Sequence, residues 1–298
     1  MTIKTITVRA VIPHYFAESS TPVREIGAGF GSRQAGGRLA RSIALSRCLH
    51  GLLNLRRSSN DLQLDHRSAA GVVTPSSTDF EQIIIEVVVV ANRDAFLLDV
   101  IAPLVPQVQV LRCDLDDPRE LGLAARDWLI GHTAPADLNL YLEDDLVIQD
   151  PLFVDKILWM AQCSDHQFVL LPHRYELTHR LDLPPRLLID GTIDHDVFNA
   201  WHRPCADIAT GSFRGQEGLR FDCPSNPHSG FFGISRLQLM ALRDCELPRA
   251  GFVGPLETAA TYTVGCAFTL LKPALINRGF LMIEHGHPSY LGYLSPDR

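Results

Sequence analysis

The chain has 298 residues, 46% hydrophobic and 20% charged, with a formal net charge of −7. This composition supports a sizeable core and excludes wholesale disorder. The acidic balance excludes binding to nucleic acid by bulk charge, so an anionic ligand would need local basic groups or a bridging cation. The seven cysteines show no CxxC pair and no regular spacing, which points to reduced intracellular thiols and not to a disulfide framework or zinc ribbon.

The N-terminus, "MTIKTITVRAVIPHYF", alternates polar and apolar residues, so it reads as a strand over Ile6–Pro13 and not as a signal peptide. Ala17–Gly37 is a Gly-, Ser- and Arg-rich loop, expected to fold over a ligand as a lid. Its "GAGFGS" lacks the ending of a P-loop. A helix is expected over Arg38–Leu55, with Leu39, Ile43, Leu45, Leu49 and Leu52 on one side and Arg38, Arg41 and Arg47 towards the other. Arg56–Asp79 is polar and reads as a loop. "IIIEVVVVAN" (Ile83–Asn92) is a β-branched run suited to a central strand buried on both faces. Its apolar part is about half the length needed to span a bilayer and contains Glu86. The expectation is a soluble, cytoplasmic protein with no membrane span.

A short helix from Ala95, a strand over Val108–Asp114, a helix over Glu120–His132 and a strand over Asp137–Asp145 follow, then a helix from Leu152. This alternation predicts right-handed βαβ units and an open α/β sheet. After residue 165 the texture changes, and residues 172–228 are rich in Pro, His, Arg and Asp. A strand running into a helix is expected over His228–Asp244, a helix over Pro255–Leu271, and a loop-like tail, "EHGHPSYLGYLSPDR".

The stretch "YLEDDLVIQDP" (Tyr141–Pro151) sets three adjacent acids, Glu143, Asp144 and Asp145, at the end of an apolar strand. Like charges side by side repel, and their burial is costly without a positive partner. One reading is a solvated strand terminus. The other is a hard-cation site, since Mg²⁺ and Mn²⁺ take oxygen ligands and bridge carboxylates to phosphates. In open α/β sheets ligands sit at the carboxyl ends of the strands, where these acids lie.

"YLEDDLVIQDP" resembles the "EDD" form of the DxD motif of metal-dependent GT-A-fold glycosyltransferases, most of all the N-acetylglucosaminyltransferase I type. "VVVVANRD", "ELGLAARDWLIGH", "GFFGISRLQLMAL", "GPLETAAT" and "EHGH" resemble further elements of that family in the same order. The resemblance implies a GT-A-type, Rossmann-like, mostly parallel sheet flanked by helices, with a less regular acceptor-side half. Residues 1–165 would bind the nucleotide sugar. Residues 166–298 would bind the acceptor and return to the donor site, all within one continuous domain. It implies transfer of a sugar from a nucleotide-diphosphate sugar, a UDP-sugar by preference, to a hydroxyl acceptor with Mn²⁺ or Mg²⁺ and inversion. Asp145 would bind the metal. Glu143 and Asp144 would meet ribose hydroxyls or metal-bound water. Glu257 would be the base, or else a carboxylate favourable at a helix N-terminus.

His285 and His287 are candidates for the metal shell or a phosphate, with a solvated loop histidine as the alternative. His14 and Tyr15 end the first strand, where a base or ribose would sit, or are ordinary strand-end residues. Arg33, Arg38 and Arg41 are candidates for phosphate contacts or form a solvated helix face. Asn92, Asp94 and Asp114 are candidates for base contacts. Trp201 is an acceptor platform or a core residue. The segment 172–228 and the Gly-rich insertion match nothing in the family. A nucleotidyltransferase on a similar fold and a non-catalytic nucleotide-binding relative are the alternatives.

Overall fold

A computed structural model describes residues 5–18, 37–76, 81–193, 201–287 and 289–294. The Gly-rich loop expected as a lid, and Arg33 with it, lies outside the described residues except for Ala17, Glu18 and Gly37. The first half runs β1 (Thr5–His14), α1 (Arg38–Leu53), β2 (Asn60–Asp65), β3 (Ala70–Pro75), β4 (Gln82–Asn92), α2 (Leu98–Ile101), β5 (Val108–Cys113), α3 (Leu121–Gly131), β6 (Leu138–Leu142), β7 (Leu146–Val147) and α4 (Phe153–Cys163). The second half runs β8 (Phe168–Leu170), β9 (His173–Leu177), β10 (Arg186–Leu188), β11 (Cys205–Phe213), β12 (Gln216–Cys223), β13 (Phe231–Ser235), α5 (Arg236–Arg243), α6 (Pro255–Glu257), a π-helical turn (Thr258–Tyr262), α7 (Thr263–Gly265), β14 (Thr269–Pro273) and β15 (Met282–His285).

The expected α/β class and mostly parallel sheet are present. The main sheet has the order β13-β6-β1-β4-β5, parallel except for β13, which runs antiparallel to β6 on the edge. The β-branched run of β4 explains its central place. Val87 and Val89 enter the core under α1 and α4, while Val88 and Val90 enter a second core under α3 and α5. Burial of alternate residues in two cores is the pattern of a parallel-sheet strand covered on both faces. The larger core joins Ile6 to Ile283, so it draws on both sides of the change in texture at residue 165. Two four-stranded sheets, β10-β9-β15-β7 and β11-β12-β14-β8, make up the less regular part.

Several expectations are corrected. The stretch expected as a loop over Arg56–Asp79 contains the β2–β3 hairpin, whose Leu62↔Val73 pair is exposed at 75% and 64%. Its two short apolar alternations were hidden by polar neighbours. The arginine side of α1 is not solvated throughout: Arg41 is buried, whereas Leu39 and Ile43 lie exposed. The helix expected over Pro255–Leu271 stops at Gly265, and "TLLKP" becomes β14, paired with β8 and β12. The tail expected as a loop from Glu284 begins inside β15, whose last two residues, Glu284 and His285, pair with β7. β6 ends at Leu142, so the three acids form a turn beyond the strand. Among the described residues no helix is long and apolar enough to cross a membrane.

Candidate functional site

The site gathers at the carboxyl ends of β1 and β6. These strands pair in parallel with Val11 opposite Tyr141, so His14 and Asp144, each three residues further on, come side by side. His14 Nδ1 lies 2.5 Å from Asp144 Oδ2. The Leu97 N–H donates to His14 Nε2 over 3.1 Å, which leaves the ring proton on Nδ1 to donate to the carboxylate. With both ring nitrogens engaged and no exposed surface, His14 is walled off from any ligand and holds Asp144 in place.

The positive partner the acids need is Arg41. Its guanidinium donates to Asp144 Oδ1 and, over 3.2 Å, to Asp145 Oδ2. Burial pushes the Asp144 carboxyl up, but Arg41 and His14 more than offset this and hold it well below the usual range. Asp145 Oδ1 is buried and makes no hydrogen bond.

His285 reaches the same carboxylate from the opposite direction. The antiparallel pairing of β15 with β7 sets His285 opposite Leu146, directly after the acids. Its Nε2 lies 3.6 Å from Asp145 Oδ2. Its Nδ1 is bound to Glu176 Oε1 at 2.9 Å. Glu176, fully buried on β9, also accepts the backbone N–H groups of Ser289, Tyr290 and Leu291 at 2.8–3.0 Å. It therefore fixes both the ring of His285 and the chain that follows. Gly286 donates its N–H to the Asp145 carbonyl over 2.6 Å, and a Cβ there would stand 3.0 Å from that oxygen. Burial lowers the His285 pKa, but Glu176 and Asp145 raise it further, and the net shift is upward.

Glu143 turns away from Arg41. Its carboxyl lies on the backbone of Gly230, where φ is 59° and an added Cβ would come within 2.6 Å of Oε2. Oε1 is buried without a hydrogen bond, 3.9 Å from His228 Nε2. Burial, with the Asp145 charge, raises the Glu143 pKa. Beneath this point lies a second charged group. Asp190 accepts from Arg174 Nε and Lys272 Nζ, each over 2.8 Å, and Lys272 also donates to the His228 carbonyl.

Glu257 is partly committed: its Oε2 accepts the Gly254 N–H over 3.1 Å at the start of α6. Its charge still raises the pKa values of both Tyr141 and Glu143. Asn92 clasps the Leu115 backbone through both ends of its amide. Asp94 pairs with Arg112 at 3.1 Å and Asp114 pairs with Arg93, all at exposed strand ends. Arg38 pairs with Asp99 at 2.7 Å on the surface. Tyr15 is half-buried against the second core, and His287 is half-exposed beyond β15. Trp201 stacks on Tyr262 with ring centroids 4.7 Å apart, and Gly265 abuts it, so its ring is a packing surface.

Thus Asp144, Asp145, Arg41, His14 and His285 come together, while Asn92, Asp94, Asp114 and Arg38 bond elsewhere. Glu176, Arg174, Asp190, Lys272 and His228 were missed. Lys272 alone left a signal, a cation inside the apolar run "TLLKP".

Among the described residues no three His, Cys, Asp or Glu side chains form a group able to hold a metal ion unaided. Asp145 and His285 nevertheless suit a hard divalent cation that takes its remaining ligands from substrate phosphates and water. The unpartnered Asp145 Oδ1 and a histidine oriented by a carboxylate behind it are the observations that fit.

No family model matches the chain, and no curated protein matches it. Among solved structures it is similar to S. aureus TarS 1–349, at 10% identity and a TM-score of 0.44, over 90% of this chain and 58% of that one. The same TarS fragment in complex with UDP-GlcNAc gives 11% identity and a TM-score of 0.42, over 96% and 62%. GalNAc-T7 with UDP, GalNAc and Mn²⁺ gives 13% identity and a TM-score of 0.48, over 94% and 44%. None of these three is described as an N-acetylglucosaminyltransferase of type I. The chain spans between 44% and 62% of the length of these solved chains.

Proposed function

We propose that the chain is a metal-dependent glycosyltransferase of the GT-A type. It moves a sugar from a nucleotide-diphosphate sugar, a UDP-sugar by preference, to a hydroxyl acceptor with inversion. The observation that carries this reading is Asp145. It is a buried carboxylate at the carboxyl end of a parallel sheet, with one oxygen unpartnered and His285 facing the other. Asp145 and His285 would hold Mn²⁺ or Mg²⁺, which supplies charge neutralisation for the departing diphosphate. Asp144, His14 and Arg41 keep Asp145 in position. The uncapped oxygen of Glu257 takes the acceptor proton.

One observation favours a second, non-catalytic reading. Arg41 already supplies positive charge to both Asp144 and Asp145. The two readings separate in calorimetry with UDP and Mn²⁺. Under the first, binding requires the cation, and Asp145→Asn removes most of the affinity while keeping the shape. Equal UDP affinity in EDTA, or an unaffected variant, would overturn it.

A further inference from the structure

We propose that Cys205 and Cys223 form a reversible cross-strand disulfide, a modification site at the open end of the β11–β12 hairpin. The two are direct partners in the antiparallel ladder. Partners in such a ladder present their side chains on one face. Regular partners of this kind have Cα atoms ~4.5 or ~5.5 Å apart, and this pair ends the ladder just beyond a register shift that separates it from Ala209↔Phe221. Both separations fall within the ~4.4–6.8 Å that a disulfide spans, so the bond needs no change of register. The thiols are free, Cys205 exposed and Cys223 buried. Burial, then the neighbouring Cys205 and Asp222, push the Cys223 thiol upward. β11 is an edge strand of its sheet, which leaves Cys205 open to small reagents.

The reaction is thiol–disulfide exchange with a low-molecular-weight disulfide such as oxidised glutathione. The exposed Cys205 thiolate attacks the reagent, forms a mixed disulfide and expels one glutathione thiolate. Cys223, as thiolate, then attacks Cys205 Sγ and expels the second. Two protein thiols and one glutathione disulfide become one protein disulfide and two glutathione thiols. The new bond would tie the start of β11 to the end of β12. The run Pro224–Gly230 leaves from this point, carries His228 towards Glu143, and is already held by His202 Nε2 on the Pro224 carbonyl at 2.7 Å.

The test uses the full chain, poised in mixtures of oxidised and reduced glutathione, then acid-quenched, alkylated and digested for mass spectrometry. The expected product is a peptide pair linked through Cys205 and Cys223, lost again on adding reductant. Cys223→Ser should trap glutathione on Cys205, and Cys205→Ser should leave the buried Cys223 alkylated. The proposal is overturned if the native chain retains glutathione on Cys205 beside an alkylated Cys223, or if Cys205 links to another cysteine. Because the linked pair is sought in the native chain, the outcome is decisive even if a serine variant fails to fold.

Discussion

Glu176 accepts four N–H groups at once, from His285 and from three consecutive backbone amides. A carboxylate used this way holds a ring and a chain segment in one geometry. Glu176→Gln places an amide N–H₂ where donors converge, so the ring of His285 loses its orientation. The expected result is a ~10–100-fold loss of Mn²⁺ affinity. A double-mutant cycle separates positioning from general damage: in a His285→Ala background the Glu176→Gln effect should vanish. A loss of the same size in both backgrounds would make Glu176 a structural residue only. At this scale the sequence was partly legible. The acids and His285 stood out because charge at a strand end and a histidine near a glycine are visible locally. Glu176 was not, since "HRYEL" gives no hint that its acid meets amides more than a hundred positions away. Arg41 was legible as a candidate but not in its role, because helical spacing placed it on the outer face with Arg38.

The helical stretch from Pro255 to Gly265 shows how an element is bounded by its neighbours. Composition alone would extend it to Leu271, but β14 finds partners in β8 and β12, and the backbone follows the ladder. Its end is also fixed by packing: a Cβ on Gly265 would come within 2.4 Å of the Trp201 ring, which lies against it and stacks on Tyr262. Gly265→Ala should therefore destabilise by about 1–3 kcal/mol through overpacking, although alanine favours helix. Urea denaturation measures this, and pairing the change with Trp201→Leu should restore part of the loss. A stabilised Gly265→Ala would show that the helix end is set by propensity and not by the tryptophan. The central strand needed no such help from context, because a run of four valines has few other places in an α/β fold. The β2–β3 hairpin is the opposite case. Its pairing is local but its apolar residues are few and exposed, so no periodicity rose above the polar background.

Across the molecule the three larger sheets meet at one buried charged group. Arg174 lies on β9, Lys272 on β14, and the His228 carbonyl precedes β13, with Asp190 bonding both cations. Removing the one carboxylate that compensates two buried cations leaves them unpaired, which costs about 3–5 kcal/mol. Asp190→Asn should thus lower the urea midpoint of the whole transition at pH 7, because the group joins sheets that share the fold. Lys272→Met should cost less, since Asp190 keeps Arg174. The pH dependence follows from the carboxyl itself. Burial pushes its pKa up, but Lys272 and Arg174 more than offset this and hold it well below the ordinary value. The unfolded chain binds a proton near ~3.9, whereas the native state resists it. The stabilisation is therefore complete above that pH and is lost as pH falls towards the depressed native value. The stability gap between wild type and Asp190→Asn should be widest at neutral pH and should shrink steadily below ~4. A gap that stays constant from neutral pH to pH ~3 would mean that the shape of the side chain, and not its charge, joins the sheets.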